Sequence, residues 1–164
     1  MTRDAQIDQL LDAARNTIAT VRHCWLATAA PDGGANARAV RAFPAAAGAD
    51  EWTRRFLCRR GSRKVPEIQR APRVTLAYQD GPGDRYVGLV GRAAVIDDRA
   101  EMRTLWQGDW DAFFPPGFAD ANMIVVQVAV DRIEIHARGV TAEPFGHGRT
   151  WIERDGGDGW RLVP

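Results

Sequence analysis

Apolar residues recur along the first part of the chain at the spacing of one helix face. Ile7, Leu10, Leu11, Ala14, Ile18 and Val21 predict an amphipathic helix over residues 4–22, with Asp4 as its N-cap. The period then shortens to that of a strand. Residues 23–30 alternate, Pro31-Asp-Gly-Gly34 is a turn, and residues 35–43 resume as the second arm of a β-hairpin. After an Ala/Gly/Pro-rich loop over 44–53, residues 55–58 read as a short strand. Residues 61–70 follow as a short helix that Ser62 can cap and Pro72 prevents from continuing.

Alternation returns at Val74–Gln79 and, beyond the Asp80–Asp84 turn, over Arg85–Ile96, where Gly88 and Gly91 point to bulges or close backbone approach. Asp97 or Asp98 caps a helix carrying Met102, Leu105 and Trp106, and an aromatic segment with Trp110, Phe113 and Phe114 comes next. Two strands, Met123–Val130 and Arg132–Ala137, are separated by Asp131, and residues 149–164 form a terminal hairpin. Seven or eight short strands with helices at the start, near 65 and near 102 predict a mainly β fold. The expectation is a single domain over 1–164, a small antiparallel β-barrel with helices packed on its outside and ends.

Composition narrows the function classes. With 22 basic and 21 acidic residues the net charge is +1, too little for a chain built mainly to hold nucleic acid or an anionic membrane. The N-terminal residues lack the apolar core of a signal peptide and no run is long enough to span a bilayer, so a cytoplasmic protein is expected. Cys24 and Cys58 stand 34 positions apart, neither a metal spacing nor a redox pair, and read as buried thiols. His23 and His136 have no metal-like neighbour at helical or strand spacing, so no metal is expected.

Two local patterns carry candidate chemistry. Gly61-Ser62-Arg63-Lys64 lies between a strand and a helix start, where free backbone N–H groups and two cations could seat a phosphate. A capped surface helix with two solvated cations has the same pattern. Lys64 is the single lysine against 21 arginines, which adds slight weight to a position wanting a compact ammonium. The second pattern is the strand Ala35–Phe43, in which Arg38 and Arg41 lie on opposite faces. Small neighbours at Ala37 and Ala39 would let a flat ligand approach the backbone; an edge strand guarded by charges is the plain alternative.

Taken together, the stretch from Phe56 to Tyr78 resembles the flavin-binding segment of the pyridoxamine 5′-phosphate oxidase family, the FMN-binding split barrels. Phe56, Gly61, Ser62, Arg63, Lys64, Ile68, Pro72, Val74 and Leu76 carry the match, and the hairpin with Asp32-Gly33 and Arg38-Ala-Val40 resembles the family's opening. The resemblance, over roughly residues 5–140, implies a split barrel that forms a homodimer with FMN at the subunit interface. It implies that Arg38, Arg63 and Lys64 grip the FMN phosphate, and that Ala39, Val40, Arg41, Leu57, Cys58, Ser62, Tyr86 and Arg149 border the cofactor. His147 would then face the substrate as a candidate proton donor.

The chain departs from the oxidase pattern where substrate cations are expected, at Phe43 and Phe145, which argues against pyridoxamine phosphate oxidation. The aromatic segment from Trp106 to Phe114 is more similar to the general-stress-protein branch, in which such a segment covers the partner's flavin edge. The implied activity is an FMN-dependent oxidoreductase exchanging electrons with a small molecule. The alternatives are a flavin-binding stress or sensor protein without turnover, and a deazaflavin or haem user on the same barrel.

Overall fold

The computed structural model describes residues 1–142 and 150–163. Helix α1 (Arg3–Thr20) starts one residue earlier than its apolar pattern suggested. Its N-cap is Thr2, whose hydroxyl accepts from the Ala5 amide at 3.2 Å, while Asp4 lies inside the first turn. Ile7, Leu10, Leu11 and Ala14 turn inward as the spacing predicted.

Strands β1 (Cys24–Ala29) and β2 (Ala35–Val40) form the hairpin, in a register that pairs Cys24 with Val40 and Ala29 with Ala35. The arm breaks before β3 (Phe43–Pro44), which pairs with β4 (Arg54–Arg59) instead. Then come α2 (Lys64–Arg70), β5 (Arg73–Asp80), β6 (Arg85–Ile96), α3 (Arg99–Leu105) capped by Asp98, and α4 (Trp110–Phe113). Strands β7 (Met123–Ala137), β8 (Thr150–Arg154) and β9 (Trp160–Val163) complete the described residues. The nine strands among the described residues all pair antiparallel, in the order β2-β1-β5-β6-β7-β4-β3, with β8 and β9 added beyond β7.

The two strands expected on either side of Asp131 are one strand with a bulge. Val90 pairs with Arg132 and Gly91 with Val130, which leaves Asp131 as the extra residue on β7. Its effect is visible in burial. Ile124, Val126, Val128 and Val130 point into the main core before the bulge, and Ile133, Ile135 and Ala137 after it. Gly91 answers a close approach at this point, because a Cβ there would sit 2.1 Å from the Ala129 carbonyl oxygen. β7 is long enough for β4 to pair with its first half and β8 with its second, which is how the sheet curls into a split barrel.

The main core fills the barrel with Leu26, Phe56, Leu76, Leu89, Ile133 and Ile152, closed by α1. A second apolar cluster lies on the outside of β4 and β7. There Phe43, Leu57, Met123 and Val125 meet Met102 and Trp110 from α3 and α4. Strand β4 is therefore buried on both faces, Phe56 and Cys58 toward the barrel and Leu57 toward the aromatic cluster. No described helix is long and apolar enough to cross a membrane.

Candidate functional site

Where β2, the end of β4 and the approach to α2 converge, the surface opens into a cavity of about 540 Å³. Its lining includes Ala39, Val40 and Arg41 from the end of β2, Leu57 and Cys58 from β4, and Ser62 and Lys64 at the entry to α2. These seven were all expected at one site, and the fold brings them to one. Five further residues line it: Arg22, His23 and Arg59, which the sequence did not point to, and Phe113 and Phe114, from the aromatic segment expected over a partner's flavin edge and found here in the same chain's cavity wall.

The cavity's charge is one-sided. Arg22, Arg41, Arg59 and Lys64 line it with no carboxylate among the lining residues. Among the described residues, only Arg59 of these four has an ion-pair partner, Asp120 at 3.5 Å. Gathering like charges without counter-ions costs free energy in the free protein, and an anionic ligand would relieve that cost. The guanidinium carbon of Arg41 lies over the Phe113 ring, 3.7 Å from its centroid, and 5.2 Å from that of Phe43. That stack places an aromatic wall beside the cations.

Ser62 corrects the expectation of a helix cap. Helix α2 begins at Lys64 with Arg63 in the cap position, and no side chain caps it. The Ser62 hydroxyl is instead sealed from solvent without a hydrogen-bond partner among the described residues. A buried hydroxyl left unpaired at a cavity wall invites a polar ligand atom. At seven residues α2 is also too short to supply much of a dipole, so the seat for an anion rests on side chains. Burial pushes the Cys58 thiol up, which keeps it neutral and makes it a wall rather than a nucleophile.

Three expected contacts lie elsewhere. Arg38 is on the inward face of β2, and its guanidinium is engaged by the Glu67 carboxylate at 2.5 Å, the Thr28 hydroxyl and the Asn36 carbonyl. It does not line the cavity. Arg63 is exposed at the α2 cap and outside the lining. Tyr86 lies in β6 with its ring 5.9 Å from that of His136, away from this cavity. His147, Arg149 and Phe145 fall outside the described residues. Among the described residues no group of His, Cys, Asp or Glu side chains could hold a metal ion.

Glu67 is 4% exposed and accepts from Thr28 at 2.6 Å, Asn36 at 2.6 Å and Arg38 at 2.5 Å. These donors, Thr28 foremost, hold its carboxyl down at about 2 despite its burial.

A family model described as pyridoxamine 5′-phosphate oxidase like matches residues 9–139. Several solved structures share the fold. A protein from Clostridium acetobutylicum related to general stress protein 26, of the pyridoxinephosphate oxidase family, superposes with a TM-score of 0.65 at 15% identity. The match covers 84% of this chain and 92% of that one. A pyridoxamine 5′-phosphate oxidase-related, FMN-binding protein from Nostoc punctiforme gives a TM-score of 0.63 at 17% identity, covering 96% and 95%. General stress protein 26 from Bacillus anthracis gives 0.61 at 17% identity, covering 77% and 93%. No curated protein matches the sequence.

Proposed function

The chain belongs to the pyridoxamine 5′-phosphate oxidase-like family, and from that premise we propose that it is an FMN-binding oxidoreductase acting as a homodimer. The observation that carries this reading is the cavity itself, in which unpaired cations and an orphaned buried hydroxyl adjoin an apolar, aromatic wall. FMN presents the complementary pair of features, a dianionic phosphate and a planar tricycle. Lys64, Arg41 and the Ser62 hydroxyl would hold the phosphate end by charge-assisted hydrogen bonds. Val40, Leu57, Phe113 and Phe114 would exclude water from the ring, and about 540 Å³ is within the usual range for a cofactor site. When bound, the flavin supplies the capacity to take up and release electrons, and the protein supplies binding, orientation and a dry wall.

The substrate is not pyridoxamine phosphate in this reading. The position where the oxidases carry a substrate cation is Phe43, which is buried in the aromatic cluster with its ring 5.6 Å from that of Trp110.

The dimer is supported by the outward face of the β1–β2 hairpin. Trp25 is 53% exposed and sits in register between Ala39 and Ala77, and Ala27 between Ala37 and Thr75. Ala29 and Ala35 extend the same flat face. An apolar platform around an exposed indole fits a second copy of the chain, and Ala39 belongs both to the platform and to the cavity wall.

The test is the visible spectrum of the purified protein, followed by titration of the apoprotein with FMN. A yellow protein, or quenching of flavin fluorescence on addition, is expected. A colourless protein that ignores FMN overturns the reading. Anaerobic bleaching by NADH or NADPH then separates a turnover enzyme from a passive binder.

A further inference from the structure

The two walls of the cavity come from separate parts of the chain, β2 on one side and the entry to α2 on the other. One carboxylate ties them together. Glu67 is on α2, one turn after Lys64, and accepts hydrogen bonds from Asn36 and Arg38 on β2 and from Thr28 on β1. Thr28 also accepts from Arg38, so the four side chains form a closed set behind the walls. Its members line no part of the cavity, yet Arg38 precedes Ala39, Val40 and Arg41 in sequence, and all three of those do.

We propose that Glu67 is a positioning residue for the anion-holding corner, fixing the distance between the Lys64 side of the cavity and the Arg41 side. The inference rests on the FMN reading above and deepens it. The chemistry favours a charged strut here. A buried carboxylate with three donors sits in one place, because each donor lost leaves a desolvated partner. The three donors come from two strands, so small movements of the α2 tip relative to β2 strain several bonds at once. A phosphate held between two walls is sensitive to their spacing, whereas the flavin ring, resting on apolar contacts, tolerates more slack.

That difference supplies the experiment. Wild type and Glu67→Gln proteins are titrated in parallel with FMN and with riboflavin, which lacks the phosphate. The expected result is a loss of about tenfold in FMN affinity with riboflavin affinity changed less than about twofold. Ile133→Val, a barrel-core change away from the cavity, is the control for a general loss of stability and should leave the FMN-to-riboflavin ratio alone. Asn36→Ala removes one strut while keeping the Arg38–Glu67 pair, and covers the case in which Glu67→Gln fails to fold. It should lower the ratio in the same direction by a smaller factor. A ratio that is unchanged or raised in whichever of the two variants folds overturns the role of Glu67. A wild type that binds neither flavin overturns the flavin reading, and this inference with it.

Discussion

The cavity beside Lys64 and a second one among the described residues differ in what their charges do. The second, of about 420 Å³, lies between α1, the 48–52 loop and the β8–β9 hairpin. It has more formal charge types than the first, with Asp50, Glu51, Asp158 and Arg154 in its lining, and two tryptophans as well. Those charges are largely spent on one another or on nearby residues. Arg154 pairs with Asp50 at 2.5 Å and lies over the Trp160 ring, while Glu51 is gripped by Arg15 through two oxygens. In the first cavity Arg22, Arg41 and Lys64 have no carboxylate partner among the described residues. The lesson is that a concave, charged, aromatic surface is not by itself a site. Charge that the fold leaves unpaired is what favours the first cavity as the ligand site proposed above.

The comparison can be broken by mutation. The largest effect is expected from Lys64→Ala combined with Arg41→Ala. Losing two charge-assisted contacts, each worth about 1.5–3 kcal/mol, should weaken FMN by about a hundredfold or more in a fluorescence titration. Affinity that stays within about threefold would mean the anion is held elsewhere. Binding to the wild type should also weaken as salt is raised, since the cations are partly exposed.

Next in size is Trp25→Glu. If the proposed dimer forms through this face, a carboxylate at the centre of the alanine platform should leave a folded monomer, read by light scattering with circular dichroism as the fold check. A variant that remains dimeric places the interface on another face.

A smaller effect concerns acid. Glu67 titrates at about 2 in the folded chain against about 4.5 unfolded, so its contribution to stability is fully present above pH 4.5. It declines as pH falls from there toward 2. The melting temperature of wild type should therefore drop more steeply below pH 4.5 than that of Glu67→Gln.

The smallest effect is expected at the second cavity. Arg15→Ala and Glu51→Gln remove an exposed pair worth about 0–1 kcal/mol, and should shift the melting temperature little and FMN affinity not at all. A loss of FMN affinity in these variants would erase the contrast between the cavities.

Much of this architecture was legible in the sequence, for reasons that can be traced. Helix α1 and strands β1, β5 and β6 read correctly because their burial follows local periodicities, 3.6 for the helix and 2 for the strands. The grouping of Ala39–Arg41 with Leu57–Cys58, Ser62 and Lys64 came from a resemblance that spans the segment joining them. His23 could have been found as well. The Pro31–Gly34 turn sets the hairpin register that pairs Cys24 with Val40, and one step further on stand His23 and Arg41. Arg38 could not have been placed. Nothing local to β2 says that a carboxylate 29 positions later will claim its guanidinium. Phe113 and Phe114 reach the cavity only because α3 and α4 pack over the outer face of β4, a tertiary fact with no sequence period behind it.

The surplus residue at Asp131 has a consequence for how this chain can change. It hands the barrel lining from the even positions of β7 to the odd ones, so Ile133 and Ile135 face inward only because one residue is left over behind them. With Asp131 present, forcing it into the pairing would turn both isoleucines out to water and bring Arg132 and Glu134 into the interior, whereas deleting it would leave a regular alternation with Ile133 and Ile135 still inward. Loss of this one residue should therefore leave the barrel lining intact, whereas a residue inserted among the regularly paired positions 124–128 would turn part of the strand over.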